Sequence, residues 1–375
     1  MKITEIKATI VEGSYPWVYF RVLTDEGLYG LAEAYPVRGV IDVVARQLEE
    51  FLIGQDPLAI EPLYNYLLER TPGQSTGGTT LAAISAIEVA LWDIKGKALG
   101  IPVYQLLGGA YRDRVRLYAD VGHGTHMEDT TQAWADRARE GRDDGFAAIK
   151  FDIDPLPSQR DEYNRGIRND HIQYYIDVVT AMREALKPDT DLAIDAHWAY
   201  TVVDILKVAQ AFEDLNLLWL EDPIPAENIE AMQRVKNSTR TPICTGENFY
   251  TRHGFRELIH SQAADIVSPD IAKAGGVLES KRIAEMADMY YMPLAPHNIC
   301  GPIGTYAMMH VCAAVPNFLA LEFHHLDNQF WSDLIVEGPM IVDGHIEVPE
   351  KPGLGVTLNE DVVKQGMRES LGFFD

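Results

Sequence analysis

Cysteine is scarce: the 375 residues contain three, Cys244, Cys300 and Cys312, with no CxxC spacing. An odd, scattered set argues against a disulfide framework and for reduced thiols in a cytoplasmic protein. Basic charge is short as well, with 32 lysines and arginines against 56 aspartates and glutamates and a formal charge of −24. Nucleic acid and anionic membrane surfaces both require basic patches, so neither fits as a partner. An acidic small molecule remains open, because a bound cation or one well-placed lysine sets the local field. The acidic excess fits either a salty cytoplasm or ordinary solubility. No uninterrupted apolar stretch approaches the roughly 18 residues of a membrane helix. The opening MKITEIKATIVEG alternates like a strand and not like a signal peptide. What is abundant is apolar side chain, 47% of residues against 23% charged. That suffices for a sizeable core in one or two domains.

Residues 1–114 read as an α+β unit. Ile3, Ile6 and Ala8–Val11 mark one strand and VYFRVLT, 18–24, a second, after which Asp25-Glu26-Gly27 turns the chain into LYGLAEA. Over 80–98, Ile84, Ile87, Leu91 and Ile94 recur at spacings of three and four, which predicts a helix stopping near Gly100 and Pro102. Between 115 and 332 short apolar runs alternate with helical stretches. The runs end at Asp120, Asp152, Asp195, Glu221, Glu247, Asp270, His297 and Glu322. The last six ends are 26, 26, 23, 27 and 25 residues apart, the length of a strand, a helix and two loops. Eight such units predict a (β/α)8 TIM barrel. The polar surplus at 154–170 reads as an insertion over the barrel mouth. After 333, PMIVDGHIEV reads as a hairpin turning at Asp343-Gly344, and KPGLGVTL follows. These strands are expected to return to the N-terminal domain, which would then hold both chain ends.

Barrel active sites lie at the C-terminal strand ends, and here almost all of those positions are ionisable. A carboxylate after a strand is commonly a helix cap or a solvated loop residue, but seven of them and a histidine in register form a pattern. Converging carboxylates raise one another's pKa values, a conflict that a divalent cation removes. Asp195, Glu221 and Glu247, on consecutive strands, offer only oxygen ligands, which suit Mg²⁺ with Mn²⁺ as an alternative. His297 and Asp270 end neighbouring strands, and a carboxylate that orients an imidazole makes a general base. Lys150 faces the site from the second strand, with a salt bridge to Asp152 or Asp195 as its plainer reading. His197, two residues past Asp195, is expected on the same face.

The order Lys150-x-Asp152, Asp195, Glu221-Asp222-Pro223, Gly246-Glu247, Pro269-Asp270 with Gly275-Gly276, Pro296-His297 and Leu321-Glu322 resembles the mandelate racemase subgroup of the enolase superfamily. The segments 85–109 and 351–356 resemble that family's capping domain, so the resemblance spans essentially the whole chain. It implies an enolase-like modified barrel with an α+β capping domain, a small carboxylate substrate, Mg²⁺, and a homo-oligomer of up to eight subunits. It also implies the chemistry. The substrate loses its α-proton to His297 and passes through an enediolate, whose charge Lys150 and the cation stabilise, with Glu322 donating or accepting a hydrogen bond at the carboxylate.

Three fates of the enediolate remain: racemisation, dehydration and cycloisomerisation. Racemases of the subgroup usually carry Lys-x-Lys on the second strand, whereas this chain has Lys150-Phe151-Asp152. Asp195-x-His197 resembles the subgroup's galactonate and gluconate dehydratases, in which that histidine is the leaving-group acid. The expected reaction is therefore dehydration of an aldonate to a 2-keto-3-deoxy acid. A racemase or epimerase, or a non-catalytic metal- or ligand-binding relative, is the alternative. Trp17, Arg38, Asp152, Trp198 and His324 are candidates for substrate contact.

Overall fold

The computed structural model describes residues 1–37, 39–71, 73, 76–122, 130–153, 168–324, 326–328, 330–338, 340–370 and 372–374. Arg38 and nearly all of the expected 154–170 insertion lie outside the described residues.

Alternation in the first residues makes three antiparallel strands in the order β1 (Ile3–Glu12), β2 (Pro16–Thr24) and β3 (Tyr29–Ala34), with Ile10 opposite Val18 and Phe20 opposite Ala32. The helix Gly78–Leu99 is buried nearly all round, because β3 packs on one side and the barrel segments 271–274 and 276–288 on another. A helix covered on every face is apolar all round, which explains Ala82, Ala83, Ala86 and Ala90 among its isoleucines. It stops at Gly100, whose φ of 72° is the left-handed C-terminal conformation glycine adopts freely.

Eight parallel strand positions close the barrel. They are β4 (Arg114–Asp120), β5 (Ala148–Asp152), β6 (Asp191–Asp195), β7 (Leu220–Glu221), β8 (Ile243–Thr245), β9 (Ile266–Val267), a single bridging residue Leu294, and Phe318 leading into β10 (Leu321–Phe323), which pairs back onto β4. One residue from each position fills the lumen: Tyr118, Ala148, Ala193, Trp219, Cys244, Ile266, Ala295 and Ala320. Side chains two apart on a strand share a face. The next layer is therefore Asp120, Lys150, Asp195, Glu221, Gly246, Ser268, His297 and Glu322. An apolar plug thus supports a polar layer, and the small residue in that layer has a steric cause. A Cβ on Gly246 would lie 2.7 Å from the Ser268 backbone.

The C-terminal hairpin, β11 (Ile341–Val342) and β12 (His345–Glu347), forms as expected, with positive φ at both Asp343 and Gly344. Its location differs from expectation. β12 pairs antiparallel with β4, Ile346 opposite Val115, at the start of the first barrel strand and not on the N-terminal sheet. The segment after it does reach the N-terminal unit: Leu354 N donates to Asp93 Oδ1 at 2.8 Å and Arg368 N to Ile10 O at 2.7 Å.

Two buried glutamates tie the units together. Glu33 accepts from Gly301 N (2.6 Å) and Gly304 N (3.0 Å) at the start of helix Pro302–Ala313. Glu88 accepts from Val277 N (2.7 Å), Leu278 N (3.1 Å) and Trp92 Nε1 (2.5 Å) at the start of helix Gly276–Asp288. Both carboxyl groups face helix N-termini, whose N–H groups favour the charged form, but burial outweighs this and pushes both pKa values up to about 8.

Candidate active site

The polar layer is organised around Lys150, which is 1% exposed. Its Nζ lies 3.0 Å from Asp195 Oδ2, 3.3 Å from Glu221 Oε1 and 3.4 Å from Asp120 Oδ2, and it also contacts Glu322 Oε1. The register explains the meeting, since Asp120 pairs with Lys150, Asp195 with Glu221, and β10 with β4. Burial disfavours the ammonium, but Glu221, Glu322 and Asp195 outweigh it and raise its pKa well above the ordinary lysine value. The carboxylates respond unequally. Burial raises Glu221 well above the ordinary value despite Lys150, and pushes Asp222 up to about 8 with Glu247 and Asp195 adding to it. Asp195 is lowered in spite of burial by Lys150, His197 and the His197 N–H. Glu322 is also buried, yet Lys150, His324 and His297 hold it well below the ordinary value. That direction favours Glu322 as a hydrogen-bond acceptor.

On the seventh strand position, His297 Nδ1 lies 2.7 Å from Asp270 Oδ2, the expected orienting pair. Asp270 Oδ1 also accepts from Ala272 N at 2.7 Å, which fixes the carboxylate. His297 Nε2 is 3.2 Å from Glu247 Oε2 and 3.9 Å from Glu322 Oε2. Burial opposes the imidazolium, but Glu247, Glu322 and Asp270 push its pKa up to about 10.

The third strand ends at Asp195, and His197 (φ 40°) and Trp198 (φ 47°) are left-handed. The Asp195–His197 pair therefore arises from a turn and not from strand alternation. Asp195 Oδ1 accepts the His197 N–H at 2.8 Å, and His197 Nε2 returns to 3.7 Å from Asp195 Oδ2. Third and seventh positions of an eight-membered barrel face each other, so His197 and His297 rise from opposite walls.

Asp195, Glu221 and Glu247 stand on consecutive strands but do not place one oxygen each within 4.8 Å of one another. Buried carboxylates pair with the nearest cationic side chains: Lys150 lies beside Asp195 and Glu221, and His297 draws Glu247. Two other sets are that close among the described residues, Asp152–Asp195–His197 and Asp120–Glu322–His324. The donor chemistry nonetheless fits a hard divalent ion. The three expected ligands carry only oxygen, and Glu221 Oε1 and Asp222 Oδ2 are buried without a hydrogen bond.

The substrate-contact candidates divide. Asp152 is buried beside Asp195 and His197, and burial together with Asp120 raises its pKa well above the ordinary value. His324 Nε2 lies 3.2 Å from Glu322 Oε1 and 3.5 Å from Asp120 Oδ2. Trp198 is 37% exposed and lines a cleft of about 920 Å³ with Phe249, Tyr250 and Leu68. Trp17 is fully buried against Gly13 and Gly301. Among the described residues of the N-terminal unit, Tyr15 lies edge-on to His324 at 6.2 Å and Tyr35 lies 6.4 Å from the His297 ring. Neither carries a local sequence signal. Asp120 was legible, since it ends the first strand as the others end theirs.

Family models match both units of the chain: "Mandelate racemase / muconate lactonizing enzyme, N-terminal domain" over 6–108 and "Enolase C-terminal domain-like" over 133–362. The chain belongs to the mandelate racemase/muconate lactonizing enzyme family of the enolase superfamily. It is 44% identical to the D-xylonate dehydratase of Haloferax volcanii, over 100% of this chain and 91% of that protein. It is 32% identical to the D-gluconate/D-galactonate dehydratase of Picrophilus torridus, over 96% and 92%. Among solved structures, a mandelate racemase/muconate lactonizing enzyme-like protein from Rubrobacter xylanophilus superposes with a TM-score of 0.94 at 41% identity, covering 100% of this chain and 99% of that one. No helix among the described residues is long and apolar enough to cross a membrane.

Proposed function

We propose that the protein dehydrates an aldonate to a 2-keto-3-deoxy acid. The observation that carries this reading is the pair of histidines on facing walls, one braced by a carboxylate and one held in a turn beside the polar cluster. His297, oriented by Asp270, takes the proton from C2 in its neutral form, which a cation on Glu247 would favour by offsetting the carboxylate charge that raises its pKa. Lys150 supplies a fixed positive charge where negative charge develops on the substrate carboxylate. His197, from the opposite wall, gives a proton to the departing C3 hydroxyl. Acid–base groups of this kind contribute about 10²–10⁴ each in rate. The enol product then tautomerises to the keto acid.

Asp195, Glu221 and Glu247 are the residues that would hold Mg²⁺, or Mn²⁺ in its place. A divalent cation held there would neutralise carboxylate charge beside His297 and polarise the substrate carboxylate. The second strand argues against a racemase, because Asp152 stands where a second lysine base would be. The 44% identical relative is named for D-xylonate and those near 32% for gluconate, galactonate or mannonate. A pentonate is therefore the first substrate to test.

The test is a screen of pentonates and hexonates with Mg²⁺ and with a chelator, detecting 2-keto-3-deoxy product and deuterium exchange at C2. Elimination that the chelator abolishes is expected. Exchange without elimination would make the protein a racemase or epimerase, and neither with any acid sugar would refute the assignment.

A further inference from the structure

Two lysines are buried in the site, and only one of them is saturated. Lys150 on the second strand is surrounded by the four carboxylates of Asp120, Asp195, Glu221 and Glu322. Lys273 lies on the opposite wall, three residues past Asp270 on the single helical turn Ile271–Ala274, with its side chain 6% exposed. Its Nζ is 4.0 Å from Glu247 Oε1, beyond hydrogen-bond distance, and 4.2 Å from the centre of the Tyr35 ring. The ammonium makes no hydrogen bond to a described residue. Facing an aromatic ring is favourable for a cation, but a ring supplies no acceptor for three N–H donors. The ammonium itself is not sealed off, so its N–H donors open onto the site and can take an oxygen of an entering ligand.

The position says which ligand atoms can arrive. His297 Nε2 and Lys273 Nζ flank the same carboxylate, at 3.2 Å from Glu247 Oε2 and 4.0 Å from Glu247 Oε1. Tyr35 covers both, with its ring 6.4 Å from that of His297. A carbon presented to His297 Nε2 therefore carries its own oxygen, or that of the adjacent carboxylate, towards Lys273.

We propose that Lys273 is a substrate-binding residue, whose ammonium takes an oxygen on C1 or C2 of the bound hydroxy acid beneath the Tyr35 ring. The proposal rests on the reading of His297 as the base that faces C2. It assigns the two lysines different work: Lys150 is held by protein carboxylates and stabilises charge, while Lys273 receives an oxygen of the incoming acid.

The experiment compares the full-length protein with Lys273→Met, and with Lys273→Gln should the first variant fail to fold, as judged by circular dichroism. KM, kcat and the Mg²⁺ activation constant are measured on the best aldonate, and binding of 2-hydroxy acids is measured by calorimetry. The expected result is a KM raised at least tenfold, a smaller fall in kcat, an unchanged activation constant, and matching loss of calorimetric affinity. Tyr35→Leu should move KM in the same direction. A raised activation constant with KM unchanged at saturating Mg²⁺ would mean that Lys273 serves only Glu247, and the proposal falls while the dehydratase reading stands. If the wild-type protein turns over no aldonate but still binds a hydroxy acid at least tenfold tighter than Lys273→Met, the dehydratase reading falls and the binding role of Lys273 stands.

Discussion

Replacing His197 by asparagine separates the two halves of the proposed reaction. The ion-pair contact of the side chain to Asp195 is 3.7 Å long and the ring is 27% exposed. At that distance and exposure it contributes no more than about 1 kcal/mol to stability. The shorter bond, Asp195 Oδ1 accepting the residue-197 N–H at 2.8 Å, belongs to the backbone and survives the change. Asparagine also suits φ near 40°, a region in which it is enriched and alanine is strained. Folding stability should therefore move by less than about 1 kcal/mol. Loss of a general acid should lower elimination by about 10²–10⁴, or about 3–5.5 kcal/mol in the barrier. Exchange at C2 depends on His297 across the barrel and should persist. Product assay and proton NMR in D₂O on the same sample read both. Turnover within threefold of wild type would refute His197 as the acid. Equal loss of exchange and elimination would show that it supports the whole site and not the leaving group.

Further predictions concern the base and the fold. His297→Asn should abolish exchange and elimination together, by about 10² or more, and retained exchange would move the base elsewhere. Glu88→Ala would leave two buried N–H donors and a part-buried one unmet, and at about 1–3 kcal/mol for each buried donor this predicts a loss of about 2–6 kcal/mol in urea unfolding. Glu88→Gln should recover part of it, and a loss under about 1 kcal/mol would remove this tie between the two units. His310, buried and bonded through Nε2 to Leu354 O, has its pKa lowered from 6.5 to about 4 by burial. Between those values the unfolded chain binds the extra proton, so stability falls as pH drops from 6.5 to 4. The contribution is about 3 kcal/mol, because each tenfold change in proton affinity is worth about 1.4 kcal/mol. His310→Gln should flatten that part of the stability–pH curve, and an unchanged slope would refute the assignment.

Strand ends were legible in the sequence because strand alternation is local. Each of the eight apolar runs ends at a residue two positions beyond a lumen-filling one, or one to two further, so Asp120, Lys150, Asp195, Glu221, His297 and Glu322 could be placed in one layer without coordinates. The regular spacing of the last six ends implied the barrel for the same reason, since each unit is one strand and one helix long. The Asp270–His297 pair followed from adjacency of consecutive strands.

What a charged group meets across a closed barrel is not local, and there the tertiary structure decided. Closure of β10 onto β4 brings Asp120 and Glu322 to Lys150, and that cation lowers the Glu322 pKa, which favours the acceptor where the sequence left donor and acceptor both open. A turn, not strand alternation, returns His197 to Asp195. Packing of the N-terminal unit buried Trp17 and brought Tyr15 and Tyr35 to the site, and the hairpin at 341–347 paired with β4. The chain by itself determined which side chains could do chemistry and on which strand each one stands. The partners that set each group's charge state were determined only when distant segments closed around them, because electrostatic and packing energies depend on distances that sequence separation does not measure.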